Sequence, residues 1–446
     1  MIAYRAGAPI LAGKFLEDVA RTAALLGAGA HVLNACADRY YFAVGFAAGL
    51  VRAKLSLLPS TRTPEVIAQL QRLAPDVVCL TDEEHCDIEL PQVRMPPGTQ
   101  APPPPPARVA TWETDAVPRI DAAQLAAWVF TSGSTGTPVP HRKTFGRIVD
   151  CMRVEAERLG FLDGRSHAIV ATVPPQHMYG FESSVLAPLV AGCAFAAERP
   201  FYPADICSTL AAVPRPRILI STPLHLRALL ASGLALPATD LVVSSTAPLA
   251  QQLALEVEER FGTELREIYG STETGSLAVR RPTVSAEWRL WSGVQLEARD
   301  GETWASGGHI EQPTRMCDVL EVTSGDRFLL HGRLADLVNI AGKRSSLAYL
   351  NHQLNSIPGV VDGAFFHGAG GGETDLDATV TRVGACVVAP GLDAAAILSE
   401  LRRRIDPVFL PRPLLVVASL PRTSTGKLPQ EALRSLAAAH ARPQGA

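Results

Sequence analysis

Short apolar runs bounded by turn residues recur along the chain: VVCLTD (77–82), AWVF (127–130), HAIVATVPP (167–175), RILISTP (217–223) and LVVSSTAP (241–248). Stretches with helical spacing of apolar positions separate them. This alternation predicts an α/β fold, a parallel or mixed sheet covered by helices. Near residue 333 the rhythm changes. After GDRFLLHGRL the pattern predicts a helix over 347–357, strands around Ala364 and Cys386, a charged helix over 394–405 and a terminal helix. We therefore expect a large N-terminal domain over 1–333 and a small α+β domain over 334–446, with a hinge at 333–336. The stretch 91–106 ends in five consecutive prolines and reads as a semi-rigid surface spacer, because proline neither continues a helix nor donates to a sheet.

Composition narrows the function classes. The 446 residues suit two or three domains, and 47% hydrophobic against 19% charged residues is ordinary for a globular chain with large buried sheets. Lys and Arg number 41 against 44 Asp and Glu, so no overall field recruits nucleic acid or an anionic membrane. The eight cysteines are scattered singly, which fits a reducing compartment; Cys79, His85 and Cys86 read as incidental neighbours and not a metal site. The N-terminus lacks a sustained apolar signal region, and no apolar stretch is long enough for a membrane span. A cytoplasmic location is the expectation.

Candidate chemistry begins with FTSGSTGTPVPHRKTF (130–145), a loop of glycines and hydroxyls directly after an apolar run. Glycine permits the close approach and positive φ that let main-chain N–H groups and hydroxyls surround a phosphate. The Walker A pattern is absent, because no Lys-Ser/Thr pair follows the second glycine at the required spacing. A second segment, EIYGSTETG (267–275), combines an aromatic face at Tyr269, a small-residue turn and a carboxylate at Glu273. An aromatic flanks a base, a hydroxyl reaches a phosphate and a carboxylate holds Mg²⁺ beside that phosphate. Farther on, Asp318 precedes HGRLADLVNIAGKR, and PRTSTGKL (421–428) sets Lys427 after a flexible Thr-Gly pair, where a point charge can swing onto developing negative charge.

Together these segments resemble the ANL superfamily of adenylate-forming enzymes: acyl-CoA synthetases, adenylation domains of peptide synthetases, and luciferases. The resemblance covers about residues 30 to 435, with four motifs in the family's order. It implies a large N-terminal domain of mixed sheets with a small mobile C-terminal domain. It also implies that Thr131, Ser132, Gly133, Ser134, Thr135 and Gly136 form the phosphate loop, and that Tyr269, Gly270, Thr272 and Glu273 form the adenine, phosphate and Mg²⁺ motif, with Thr131 beside Glu273 at the metal. Asp318, fifteen residues before Arg333, is implied as the aspartate that grips the ribose. The SGD at 324–326 is then a hairpin turn. Arg333 is implied to close the large domain, Arg344 to belong to the following glycine loop, and Lys427 to be the lysine of adenylate formation. In PPQHMYGFE (174–182), His177 matches the aromatic gate; a satisfied core histidine is an equal reading.

The implied reaction is attack of a substrate carboxylate on the α-phosphate of ATP, with Mg²⁺ present, expelling pyrophosphate and forming an acyl-adenylate. Transfer follows to the thiol of CoA or of a phosphopantetheinyl acyl carrier protein, after the C-terminal domain rotates. Three departures stand out. Val139-Pro140 replaces the usual Lys-Gly, displacing the basic charge to His141, Arg142 or Lys143; Ser244-Ser245-Thr246 stands at a usually glycine-rich turn; and Ala335 occupies an often charged hinge position. Segments 177–182, 223–225, 244–249 and 270–277 should line the acid pocket and suit an aryl or medium-chain acid, with a hydroxybenzoate favoured. Arg402, Arg403 and Arg404 suit either acceptor or a solvated helix face. The competing reading is a non-catalytic or regulatory nucleotide-binding member of the same fold; luciferase-like oxygenation has no feature in its favour. GAGGGET (368–374) reads as a hairpin loop.

Overall fold

The computed structural model describes residues 1–59, 61–96, 117–132, 138–299, 302–333, 337–340, 343–368, 382–423 and 428–441, with only the backbone of Thr131, Ser132, Pro138, Arg333, Leu337, Asn339, Arg344 and Ala441. The expected apolar runs become strands of two large sheets. In the six-stranded sheet, β1 (His31–Asn34), β2 (Leu55–Leu58), β3 (Val78–Thr81) and β4 (Leu125–Ser132) run parallel, and β5 (Pro138–Thr144) closes one edge antiparallel to β4.

An eleven-stranded sheet is built around four parallel neighbours, β6 (Ala168–Ala171), β7 (Arg217–Ser221), β8 (Leu241–Ser244) and β9 (Leu265–Ser271). It continues antiparallel through β10 (Gly275–Arg280), β11 (Trp288–Leu290) and the hairpin of β12 (Asp318–Ser324) and β13 (Arg327–Arg333). Every residue of β6 and β8 is buried, which explains why these strands are continuous apolar runs and not alternations. The SGD at 324–326 turns the β12–β13 hairpin as expected.

The sheets share one core. The helix α1 (Arg39–Val51), apolar nearly all round, is buried between them, and Asp38 caps it by accepting from the Tyr41 N–H at 3.0 Å. Arg39 is fully buried in its first turn and donates to the Ala171 and Val173 carbonyls at 2.8 and 3.1 Å and to the Ser184 hydroxyl. One guanidinium thus ties the smaller sheet's helix to the end of β6, where the Pro174–Glu182 segment begins. Phe181 sits in that junction edge-on to Phe42 and Phe46, at 6.1 and 4.9 Å between ring centroids.

The C-terminal part is a small α+β unit. A hairpin (Leu337–Ile340 with Lys343–Ser346) leads to the helix Leu347–Asn355 and a three-stranded sheet of Asp362–His367, Val383–Val388 and Leu414–Val416, with helices Ala394–Arg402 and Gln430–Ala441 packed against it. Leu350, Phe365 and Ile397 centre one core there, and Phe366, Cys386 and Leu433 another. Two helices end earlier than expected. Asn355 rather than Ile357 closes the first, ahead of Pro358, and Arg402 rather than Ile405 closes the second, ahead of Pro407; proline biases its preceding residue away from helix. Of the spacer at 91–106, residues 97–106 lie outside the described residues, as does GAGGGET beyond Gly368. No helix among the described residues is long and apolar enough to cross a membrane.

Phe181 packs against aromatics of the smaller sheet's helix while its own segment follows β6, so it locks the two sheets together. We predict that Phe181→Ala lowers the unfolding free energy by about 3–5 kcal/mol. Urea denaturation followed by circular dichroism measures this; a loss below about 1 kcal/mol would show that the junction relaxes around the cavity.

Candidate active site

Parallel α/β sheets collect their functional segments at the carboxyl ends of the strands. That edge here gathers the expected segments: Pro174–His177 after β6, Pro223–His225 after β7, Ser245–Thr246 after β8, and Gly270–Glu273 at the end of β9. By contrast, a surface hollow lined by Phe161, Leu162, Arg165 and Gly192 lies beyond the opposite, amino end of β6.

Tyr269 is the last regular residue of β9, since the register with β10 shifts between it and Gly270. Its ring is turned inward between Trp288 and Phe328, at 5.5 and 5.6 Å between centroids, and its hydroxyl donates to Asp318 Oδ2 at 2.5 Å. Asp318 begins β12 directly opposite Arg333 on β13. The structure therefore brings Tyr269 and Asp318 into contact and puts the Arg333 backbone across from them.

The shift at Gly270 has a steric cause. A Cβ there would meet the Gly275 carbonyl oxygen at 2.4 Å, so the turn can fold back onto β10 only with glycine at that position. Gly275, at the other end, has φ +79°, and a Cβ on it would press on Glu182 Oε1 at 2.8 Å. Between them, the Ser271 hydroxyl accepts from the Thr274 N–H at 3.2 Å, and Thr272 and Glu273 lie on the half-exposed outer side. Glu273 Oε1 faces His141 Nε2 at 3.8 Å.

His141 belongs to β5, whose alternation also settles where the displaced bases point. His141 and Lys143 share one face; Arg142 takes the other. Lys143 is buried, and its ammonium donates to the main-chain carbonyl of Glu273 at 3.0 Å. Burial lowers its pKa while the charge of Glu182 opposes that shift. For His141, too, desolvation lowers the pKa and Glu273 opposes it.

Beneath the turn lies a cluster that the motifs do not announce. Glu182 Oε2 accepts from the Ser276 N–H at 3.2 Å. The Ser276 hydroxyl donates to Glu155 Oε2 at 2.7 Å and accepts from Trp291 Nε1 at 3.2 Å. His309 Nε2 meets the Thr274 carbonyl at 3.2 Å, which requires the tautomer carrying a proton on Nε2. Burial, with the nearby Lys143 charge, pushes His309 down to about 4. Glu155 had a readable signal: in the helix α2 (Phe145–Leu159) it falls on the apolar stripe of Ile148, Cys151, Met152, Ala156 and Leu159. Lys143 was singled out only as one of three possible displaced bases, without a burial signal, and Glu182 had none.

Other expected residues flank this turn along the same edge or fall outside the described residues. His177 is half buried at the start of the helical turn Met178–Phe181, its N–H donating to the Pro174 carbonyl at 3.2 Å. Thr246 adopts φ +80°, a left-handed conformation costly for a β-branched residue, at the turn after β8. The backbone of Thr131 and Ser132 pairs with Val139 and Pro138, and that of Arg344 with Asn339. Gly133, Ser134, Thr135, Gly136, Ala335 and Lys427 lie outside the described residues, as do the side chains of Thr131, Ser132, Arg333 and Arg344. Cys79 and Cys86 lie 4.0 Å apart, and no group of three His, Cys, Asp or Glu that could hold a metal occurs among the described residues.

The family description "AMP-binding enzyme" matches residues 12–320. A 4-coumarate–CoA ligase of Rhodobacter capsulatus is 31% identical over 239 residues, covering 53% of this chain and 60% of that ligase. The match thus spans about three fifths of that relative's length. A 4-hydroxybenzoate–CoA/benzoate–CoA ligase of Rhodopseudomonas palustris is 26% identical over 376 residues, covering 74% and 68%. Among solved structures, ATP-bound MatB from Rhodopseudomonas palustris superposes with a TM-score of 0.80 at 18% identity over 98% of this chain and 95% of that one. This last likeness is one of fold.

Glu182 generates a pH prediction. Burial and the charge of Glu155 push its carboxyl up to about 8, from an ordinary 4.5. Between those values the unfolded carboxyl has lost a proton that the folded one keeps, so stability falls as pH rises through the interval. His225 and His309, held down at about 4, act in the opposite sense, but only below about 6.5. Relative to Glu182→Gln, the wild type should therefore lose on the order of 1–2 kcal/mol between pH 6.5 and 8, read from urea midpoints. Parallel slopes in the two proteins would refute the raised pKa.

Proposed function

The chain belongs to the AMP-binding enzyme family, and from that premise we propose that it is an ATP-dependent acid–thiol ligase that adenylates an aryl acid and passes the acyl group to CoA. The observation that supports this most is the convergence at one sheet edge: Asp318 bound to Tyr269 at 2.5 Å, with Glu273 four residues beyond Tyr269 on the turn that ends the same strand. Asp318 is then the ribose-binding group, and Gly270 and Thr272 line the phosphate path. The names of the relatives, ligases of 4-coumarate and of hydroxybenzoate or benzoate, favour an aromatic acid over a medium-chain one.

A single half-exposed carboxylate suits Mg²⁺, which is held by one or two carboxylates together with substrate phosphates. Glu273, with the Thr131 hydroxyl, would hold it, and the ion would supply charge neutralisation on the phosphates. The chain's own residues do the positioning. Asp318 and Tyr269 fix the nucleoside, the glycine-rich loop holds the phosphates, and Arg333 closes that side of the site. Lys427 brings a point charge to the transferring oxygens, and His177 screens the acid pocket. For the second step, the 334–446 domain turns about residues 333–336, carrying Lys427 and Arg344. Arg402, Arg403 and Arg404 offer a basic surface for the 3′-phosphate of CoA, although Arg403 and Arg404 share Glu400 at 3.4 and 3.6 Å. A carrier protein is the alternative acceptor. The cytoplasm supplies both ATP and CoA.

Pyrophosphate release from ATP and Mg²⁺ over a panel of hydroxycinnamic, hydroxybenzoic and medium-chain acids tests this reading. We predict release dependent on an aromatic acid, turnover raised by CoA more than by a carrier protein, and a loss of at least about 100-fold in Lys427→Ala. ATP binding without release on any acid would favour the non-catalytic member of the fold.

A further inference from the structure

The turn that carries Glu273 is bounded by a glycine at each end. It begins at the register shift at Gly270 and ends at Gly275 in the left-handed region, so its flanking backbone does not by itself aim the carboxylate. Two buried side chains hold it from beneath by consecutive carbonyls. Lys143, 7% exposed, donates to the Glu273 oxygen at 3.0 Å; His309, 6% exposed, donates to the Thr274 oxygen at 3.2 Å.

Lys143 is two residues along the same face of β5 from His141, which meets the Glu273 carboxylate at 3.8 Å. One strand edge therefore touches Glu273 at both its carboxylate and its carbonyl, and that strand leads back into the 131–137 loop. Burying an ammonium is costly, and an apolar residue of similar volume commonly serves stability as well or better. A lysine at this place is explained by what it grips.

We propose that Lys143 and His309 are positioning residues that clamp the Glu273 and Thr274 carbonyls and so hold the Glu273 carboxylate in register for a Mg²⁺-bound nucleotide. The inference rests on the reading of Glu273 as the residue that meets Mg²⁺. It predicts that losing either clamp weakens the metal-dependent part of nucleotide binding and spares the rest.

Calorimetric titration of ATP, with and without Mg²⁺, into the full chain of the wild type, Lys143→Met, His309→Phe and Glu273→Gln tests it. The wild type should bind ATP more tightly with Mg²⁺. Lys143→Met and His309→Phe should each lose about three- to tenfold of that enhancement while Mg²⁺-free affinity stays within about twofold, and Glu273→Gln should lose all of it. If Lys143→Met does not fold, His309→Phe reads the same clamp. A lowered melting temperature with the enhancement intact in both variants overturns the inference alone, leaving a merely structural pair. Equal weakening with and without Mg²⁺ also overturns it, because Lys143 would then act on the nucleotide directly. A wild type without any enhancement overturns the reading of Glu273 and this inference with it.

Discussion

Placing an ammonium and two carboxyls inside a sheet interface costs several kcal/mol per charge unless each group is closely matched by partners. Lys143, Glu155 and Glu182 find partners around a few atoms, the Ser276 amide and hydroxyl and the Glu273 carbonyl, while Glu155 Oε1 is buried without one. The conformation of the turn above them depends on this match. Gly270 and Gly275 allow the chain to fold back at that point, but they do not choose an orientation. The buried floor meets the turn at the Glu273 and Thr274 carbonyls. Burial raises Glu155 and Glu182 and lowers Lys143, so the floor tends towards neutral partners, which lowers the cost of keeping it dry.

Much of the fold was legible because its parallel strands are buried on both faces and leave unbroken apolar runs, as at 168–171 and 241–244. Helix ends were less legible at Asn355 and Arg402, where a downstream proline outweighed the apolar spacing. The turn at Gly270 was also readable, since a glycine after an aromatic strand end signals close backbone approach. The floor beneath it was not. Lys143 closes the run HRK, in which the sequence left open which base takes the displaced charge until the pairing of β4 and β5 shows which side chains face inward. Glu182 follows an aromatic in a segment of mixed α and π turns, where no single period assigns a face. Tyr269 was legible as an aromatic at a strand end, but its inward ring was not; that depends on Trp288 and Phe328 from distant strands.

Strain and charge are unevenly shared along the carboxyl edge. Thr246 accepts a left-handed conformation where glycine would be unstrained, at a cost of order 1–3 kcal/mol. Its neighbour Ser245 donates to the Ile268 carbonyl at 2.9 Å, binding the strained turn to β9 just before Tyr269. The strained turn and the Tyr269–Asp318 pair are thereby joined through β9. Such strain persists only where the surroundings over-determine it, and the completely buried β8 provides that.

The Val139 departure then has a geometric meaning. Residues 139, 141 and 143 occupy one face of β5; the first is an exposed valine, the second faces the Glu273 carboxylate, and the third is buried under the Glu273 carbonyl. Basic charge has moved two and four residues down the same face, from where a flexible side chain would meet a phosphate to where fixed ones hold the residue proposed to meet the metal. A lysine at 139 would act as a solvated point charge, paying side-chain entropy each time it engages. Lys143 has paid that cost on folding. On the proposed reading, the chain gives up a direct contact to the leaving pyrophosphate and keeps a pre-set carboxylate, which shifts the burden of neutralising that pyrophosphate onto Mg²⁺ and Lys427.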